Sequence, residues 1–190
     1  MNWANRLTLG RLALTVLFVC SLTSTWTYGR TIALVLFVLA GISDYFDGEI
    51  ARRYGIVTKF GKLMDPLVDK VMMAAAFICL VPLGAVPAWV AIIVVARDFL
   101  ITGLRLLASS EGVVLSAEKL GKHKTSWQIA TVAFFLILLA AHELGLAGAD
   151  ALWWENAWRY GGNTLLWITI GLTIYSGLGY LWRHRGLLRA

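Results

Sequence analysis

The residues best suited to chemistry in this sequence are four aspartates that flank one short polar stretch. Asp44 and Asp47 are three residues apart, and Asp65 and Asp69 are four residues apart. On a helix, residues with these separations lie on one face. The intervening segment, Arg52–Lys62, would fold two such helices back on each other, and we expect the four carboxylates to converge.

Four ionised carboxylates close together would repel one another strongly, and divalent cations would remove that repulsion. Oxygen ligands without His or Cys partners select Mg²⁺, Mn²⁺ or Ca²⁺ rather than Zn²⁺. Two such ions about 4 Å apart would neutralise the four charges and bind phosphoryl oxygens. The alternative is that these carboxylates form helix-end salt bridges with Lys70, Arg52 and Arg53.

The composition shows where such a cluster must be built. Of 190 residues, 59% are hydrophobic and only 15% are charged, and the mean hydropathy is +0.72. Soluble domains are about 45–50% apolar and about 25% charged, so a water-soluble globule is excluded. With 3 Pro and 2 Cys, disorder, collagen and a disulfide scaffold are excluded as well. The sequence therefore predicts a single membrane domain over residues 1–190.

Six apolar stretches are long enough to cross a bilayer core, which takes about 20 helical residues. We expect these spans near Arg11–Trp26, Thr31–Ala51, Asp65–Pro82, Pro87–Leu107, Thr125–Leu146 and Asn163–Trp182. The links after Trp26 and Pro82 are very short, so we expect antiparallel hairpins there. The predicted fold is an all-α integral membrane protein with six transmembrane helices, short loops and a polar, metal-lined cavity at the cytoplasmic side.

The basic residues indicate how the spans are oriented. With a cytoplasmic N-terminus, thirteen of the 17 Lys and Arg residues fall on the cytoplasmic side, and only Arg30 and Arg159 fall on the other. This bias is the positive-inside pattern, and it places both termini in the cytoplasm. The net charge of +6 is therefore interpreted as a topology signal and not as a nucleic-acid surface. The Trp-rich segment around Trp153, Trp154 and Trp158 is predicted to lie in the outer membrane interface.

The aspartate segment carries a specific resemblance. It reads Asp44-x2-Asp47-Gly48-x2-Ala51-Arg52-x8-Gly61-x3-Asp65-x3-Asp69. This is similar, at all eight fixed positions, to the signature of the CDP-alcohol phosphatidyltransferase family. The resemblance implies a six-span membrane enzyme that needs Mg²⁺ or Mn²⁺, two ions in all, and transfers a group from a CDP-linked donor to an alcohol with release of CMP.

The resemblance also implies roles for individual residues. Asp44, Asp47, Asp65 and Asp69 would be the metal ligands, with Asp69 also the general base. The expected residues of a CDP-diacylglycerol site are Asn5, Thr8, Arg11, Gly48, Ala51, Arg52 and Gly61, the first three from a segment similar to the family's N-x-L-T-x-x-R pattern. Gly48 and Ala51 would admit the nucleotide, Gly61 would allow the turn into the third span, and Arg52 would hold a phosphate. Helix capping is the alternative role for Asn5 and Thr8.

Two further segments resemble members of the family whose acceptor is glycerol 3-phosphate. These are Ala96–Arg105 and the stretch Gly121-Lys122-His-Lys124-Thr125-x2-Gln128. We expect the acceptor phosphate to be held by Arg97 and Arg105, on one face of the fourth span, and by Lys122 and Lys124 in the following loop; topology is the alternative role for the two lysines. Asp98 is not expected to be the partner of Arg97, because adjacent helical residues diverge.

Other functions remain open at this point. A cardiolipin synthase of the same family would use phosphatidylglycerol as acceptor, an inositol-phosphate transferase comes third, and an ion-coupled transporter is a remote alternative. The expected partners are CDP-diacylglycerol, glycerol 3-phosphate and membrane lipids, with no nucleic acid. A homodimer could form through small residues such as Ala74, Ala75, Ala76 and Gly103. We expect the protein in the bacterial inner membrane, with the active site facing the cytoplasm.

Overall fold

The computed structural model describes the backbone of residues 3–54, 59–110, 119–146 and 151–183. Inside these ranges, the side chains of residues 3–8, 44–54, 59–66, 69, 110, 119–123 and 151 lie outside the described part. The long helices are α1 (Trp3–Thr23), α2 (Gly29–Tyr54), α3 (Lys59–Leu80), α4 (Ala88–Ser110), α5 (Lys119–Glu143) and α7 (Gly162–Arg183). A short helix, α6 (Ala151–Asn156), and a π-helical turn (Ala157–Gly161) precede α7.

Every described element is helical, so the all-α prediction is confirmed for this part of the chain. Each long helix overlaps one predicted span. By length and apolar character, the described residues contain two segments able to cross a membrane, Lys124–Glu143 and Leu152–Arg183. The apolar parts of three other helices are shorter, namely Leu9–Thr23, Gly29–Ser43 and Lys70–Leu80. The count of six membrane crossings stays a prediction.

The first two helices form the predicted hairpin. The Ser21 hydroxyl donates to the Gly29 carbonyl oxygen at 2.6 Å, and a Cβ at Gly29 would lie 2.7 Å from the Ser21 carbonyl oxygen. Only glycine fits this close approach of the two helix ends. Farther from the link, the ring centroids of Phe18 and Phe37 are 6.1 Å apart. Contacts that diverge from the link in this way identify an antiparallel pair.

The remaining helices complete a bundle whose two ends differ in charge. A tight turn, in which the Ala85 and Val86 amides donate to the Leu80 carbonyl oxygen, returns the chain from α3 to α4. Helix α7 packs against α5 and α4. At one end of the bundle, α1, α3 and α5 begin and α2, α4 and α7 end. The Lys and Arg residues that we predicted to be cytoplasmic lie at this end, as far as the structure describes them. We name it the charged end. Arg30 and Arg159 lie at the opposite end.

Large apolar side chains cover the outside of the bundle. Val16, Ile92, Ile137 and Trp167 are each more than half exposed, and they belong to four different helices. The interior is also apolar, with Phe18, Phe77, Leu80 and Leu136 fully buried. A water-soluble monomer does not expose apolar surface on this scale. The surface therefore suits a lipid environment.

The Trp-rich segment continues directly into the last helix. We expected a helix lying in the membrane interface, but α6, the π-helical turn and α7 form one uninterrupted helical run from Leu152 to Arg183. Trp158 packs edge-on against Phe135 of α5, with ring centroids 5.5 Å apart. Trp153 is exposed, and Trp154 lies beside His142. The segment is thus partly anchored to the bundle.

At the opposite end, one carboxylate joins α5 to α2. Glu143 accepts hydrogen bonds from the backbone amides of Arg30 (3.1 Å) and Thr31 (2.8 Å) and from the Thr31 hydroxyl (2.7 Å). The first amides of a helix have no partner within the helix, and a negative charge there also complements the helix dipole. Glu143 therefore caps α2 from a helix more than 100 residues away in sequence.

This cap predicts a loss of stability on substitution. Glu143→Ala removes all three hydrogen bonds, and it should lower the melting temperature in detergent by about 3–10 °C, as expected from the loss of hydrogen bonds to a charged group. The measurement is thermal unfolding of the purified protein followed by fluorescence. Glu155→Ala, which removes an exposed carboxylate at the same end, is the matched control. Equal melting temperatures for the two variants would contradict the cap.

Candidate functional site

The four aspartates lie on helices, as their spacing predicts. Asp44 and Asp47 belong to the C-terminal part of α2, and Asp65 and Asp69 belong to the N-terminal part of α3. Both parts are at the charged end, next to the link 55–58. The side chains lie outside the described part of the chain, so the convergence of the four carboxylates stays a prediction.

Most of the predicted donor-binding residues also fall at the charged end. Asn5 and Thr8 are on α1, Gly48, Ala51 and Arg52 are on α2, and Gly61 is on α3, all with side-chain surroundings outside the described part. Gly61 lies within the first turns of α3, whereas we expected it in the turn before that helix. Arg11 is described, and it is buried on α1 with 7% of its surface exposed.

The described part of the site is a buried charged cluster between α4, α5 and α7. The carboxylate of Asp98 accepts hydrogen bonds from Lys124 Nζ and, at 3.4 Å, from Arg97 Nη1. Asp98 is only 5% exposed, and Lys124 only 1%. A buried lysine and a buried aspartate need each other, because removing one would leave an uncompensated charge in a medium of low dielectric constant. We name Arg97, Asp98 and Lys124 the charged cluster.

Two predictions about this cluster were wrong. We expected Asp98 not to pair with Arg97, but the long, flexible arginine side chain reaches back to its neighbour's carboxylate. We also placed Lys122 and Lys124 in a loop, but both lie in the first turns of α5. The cause of the second error is that charged residues at a helix start lower the local hydropathy, and the predicted span therefore began too late.

The cluster concentrates positive charge near the predicted metal-binding helices. Lys70, the residue after Asp69 on α3, is close enough for its charge to act on Lys124, and so is Arg97. Several cations in a poorly hydrated place favour an anion with more than one charge and several acceptor oxygens. A phosphate group fits this description, and the arginine can bind it through two nitrogens.

The other two predicted acceptor residues are placed differently. Arg105 lies two turns beyond Arg97 on α4 and is exposed, whereas Arg97 is turned toward α7. Eight residues correspond to about 80° of rotation beyond two full turns, so the two arginines do not share a face as closely as expected. Lys122 lies on α5, and its side chain is outside the described part. The structure therefore brings together Arg97 and Lys124 at Asp98, and it leaves Arg105 exposed, two turns away on α4.

Sequence reasoning missed a polar seam between α5 and α7. The hydroxyls of Thr131 and Thr169 are 2.8 Å apart. Gln128 is fully buried, and within the described part of the chain neither its Oε1 nor its Nε2 has a hydrogen-bond partner. The same holds for the hydroxyl of Thr173. Buried polar atoms without a protein partner commonly contact water or a ligand. In the sequence, the regular spacing of Thr169, Thr173 and Ser176 was the feature that could have predicted this seam on one face of α7.

A cavity of about 610 Å³ lies elsewhere, at the opposite end of the bundle. Its lining includes Trp154, Trp158, His142 and Arg159, and none of the predicted site residues. A large cavity is a common indicator of a ligand site, but this one is remote from the aspartates and from the charged cluster. We therefore assign the candidate site from charge and chemistry at the charged end.

Comparison with known proteins identifies the family of the chain. The family model of CDP-alcohol phosphatidyltransferase matches residues 1–175. The chain is 34% identical over 192 residues to the CDP-diacylglycerol–glycerol-3-phosphate 3-phosphatidyltransferase of Bacillus subtilis, and 34% identical over 179 residues to the protein of that name from Rickettsia bellii. Each alignment covers 94% of this chain and 93% of the relative. A protein of the same name from Treponema pallidum is 33% identical over 156 residues, which is 80% of this chain and 71% of that protein. Because the family model and these relatives match most of its length, this chain belongs to the CDP-alcohol phosphatidyltransferase family.

Proposed function

We propose that this protein transfers the phosphatidyl group of CDP-diacylglycerol to glycerol 3-phosphate, which forms phosphatidylglycerophosphate and releases CMP. The observation that carries the proposal is the contact of Arg97 and of the buried Lys124 with the single carboxylate of Asp98, which holds two cations together. Relatives named for this reaction, aligned over 94% of the chain, support it. The protein would thus be a transferase of phospholipid biosynthesis.

The family is generally dependent on a divalent metal. We assign the metal site to Asp44, Asp47, Asp65 and Asp69, because four carboxylates on the adjoining ends of two consecutive helices form a donor set of hard oxygens. This donor set fits Mg²⁺ or Mn²⁺, and four negative charges suit two ions. Bound there, the metal would neutralise charge on the pyrophosphate of the donor and on the departing CMP.

In the chemical step, one of this chain's own side chains would act as the general base. Asp69 would accept the proton of the acceptor's 1-hydroxyl group. The resulting oxygen attacks the phosphorus that carries diacylglycerol, and the bond from that phosphorus to the CMP oxygen breaks. Holding the two substrates in line supplies a large part of the acceleration, because both are bound before they react.

The substrate sites extend from this centre in two directions. The donor would bind along α1 and α2 through Asn5, Thr8, Arg11, Gly48, Ala51 and Arg52, with Gly61 on α3. The acceptor phosphate would be held by Arg97 and Lys124 inside the bundle and by Arg105 and Lys122 at its edge. Arg105 is exposed on α4, so its guanidinium would contact the phosphate from the outside of the bundle.

We further propose that all six long helices cross the bacterial inner membrane as one domain, with both termini and the active site on the cytoplasmic side. The concentration of basic residues at the charged end supports this orientation. A homodimer could use Gly103, which is exposed on α4 with open space around its Cα. Ala76, in contrast, is fully buried in the core of the single chain and is not available for such a contact.

The metal assignment predicts complete dependence on a divalent cation. Excess EDTA should abolish CMP release, and Mg²⁺ or Mn²⁺ should restore it. Asp44→Asn, Asp47→Asn, Asp65→Asn and Asp69→Asn should each reduce turnover to background in protein that still inserts into membranes. Glu155→Gln, which changes an exposed carboxylate at the opposite end, should keep its activity. Substantial CMP release in excess EDTA would rule out the metal site.

The acceptor assignment predicts a selective effect at Arg105. Arg105→Ala should raise the KM for glycerol 3-phosphate at least about tenfold, the cost of a lost charge-assisted contact. The KM for CDP-diacylglycerol should change little, and Arg105→Lys should recover only part of the loss, because an ammonium cannot replace the guanidinium fork. Arg159→Ala, an exposed arginine at the opposite end, is the control.

The same assay separates the candidate acceptors. CMP release that depends on glycerol 3-phosphate supports the proposed function. Should CMP release require phosphatidylglycerol instead, with unchanged KM values in Arg105→Ala and Lys122→Ala, the protein would be a cardiolipin synthase. A transporter would release no CMP with either acceptor.

A further inference from the structure

Two consecutive residues of α7 hold the side chain of Arg97. The hydroxyl of Ser176 accepts a hydrogen bond from Arg97 Nη2 at 3.0 Å. At the next position, a Cβ on Gly177 would lie 3.1 Å from Cγ and 3.7 Å from Nε of Arg97, so the arginine stem lies directly on the helix backbone. Both residues follow the segment 1–175 that the family model matches.

These contacts fix the guanidinium from separate directions. Asp98 binds Nη1, Ser176 binds Nη2, and the bare backbone at Gly177 supports the stem between them. An arginine side chain has many rotamers, and immobilising it costs conformational entropy. In this protein that cost is met during folding, so that a ligand binding the guanidinium does not have to meet it again.

The hydroxyl of Ser176 is itself oriented. It donates to the Thr173 carbonyl oxygen at 3.2 Å, one turn earlier on α7, and this leaves its lone pairs to accept from Arg97. Ser176 is 4% exposed, and Gly177 is buried as well. Neither residue is exposed to a substrate, and both contact the side chain of Arg97.

We infer that Ser176 and Gly177 are positioning residues of the acceptor site, which hold Arg97 so that its guanidinium can receive the phosphate of a small phosphorylated alcohol. This inference rests on the proposed function, since it assumes that Arg97 binds the acceptor. It gives the last helix a role in acceptor affinity that no motif in the first 128 residues contains.

The chain offers a matched pair of glycines for the test. Gly177→Ala adds a methyl group that would press against the Arg97 stem, which the contacts at its guanidinium prevent from moving freely. Gly179→Ala adds the same methyl group to the same helix, where nothing lies within 4 Å of the new Cβ. Both changes raise helix propensity equally, and only the one at Gly177 places the new methyl group against Arg97.

The measurements are the KM values for glycerol 3-phosphate and for CDP-diacylglycerol, kcat, and the melting temperature of each purified variant. Gly177→Ala should raise the KM for glycerol 3-phosphate several-fold, with the donor KM unchanged and the melting temperature near that of Gly179→Ala. Gly179→Ala should have wild-type kinetics. Ser176→Ala should raise the acceptor KM about tenfold, because it removes a hydrogen bond to a charged group.

Arg97→Ala in parallel distinguishes the failure of this inference from the failure of the proposed function. If Arg97→Ala raises the acceptor KM while Ser176→Ala and Gly177→Ala do not, the positioning role is overturned and the acceptor site stands. If Arg97→Ala leaves the acceptor KM unchanged, Arg97 is not an acceptor ligand and the inference is overturned with it. If wild-type protein releases no CMP with glycerol 3-phosphate, the proposed function itself is wrong.

Discussion

A charge that is removed from water must meet an opposite charge, and the arrangement of α4, α5 and α7 depends on that constraint. Lys124 is almost completely buried, and the carboxylate that compensates it comes from a different helix. Pulling α5 away from α4 would expose two charges to a medium that solvates neither, which costs several kcal/mol. Apolar packing elsewhere in the bundle gives a weaker drive for the helices to associate, because lipid and the protein interior are equally apolar.

The same pair is also the centre of the proposed acceptor site. A single Asp98 carboxylate organises two cationic side chains, and a seam of hydroxyl groups continues from them between α5 and α7. The proposal that this region holds the acceptor phosphate rests on these polar groups. The aspartates of α2 and α3, at the same end of the bundle, then place the proposed acceptor site beside the proposed metal site.

The fold could largely be predicted from the sequence, because helix length and hydropathy are averages over many residues. The hairpin between α1 and α2 required only a short link, and the structure confirms it. The site was harder to predict, since it depends on individual side chains. Asp98 was discounted on the direction of Cα–Cβ bonds, but a side chain as long as arginine is not limited by that direction.

Ser176 and Gly177 were missed for a different reason. Serine, threonine and glycine contribute little to a hydropathy average, so a polar stripe on an apolar helix does not stand out. Arg105 is a different case, because it was expected on the same face of α4 as Arg97 but is more exposed than Arg97. Spacing along one helix defines a direction only, and what lies in that direction depends on the neighbouring helix.

The Glu143 cap holds the N-terminal end of α2, far from the aspartates in the C-terminal part of the same helix. The distance along α2 from Thr31, at the cap, to Asp44 is about 20 Å at the rise of an α-helix. A tilt of α2 by about 2° around Thr31 would therefore displace the backbone at Asp44 by about 0.7 Å. Displacements of about 1 Å in a reacting group are enough to slow an enzyme about a hundredfold. The position of Asp44, a proposed metal ligand, is thus set in part by three hydrogen bonds at the opposite end of the bundle.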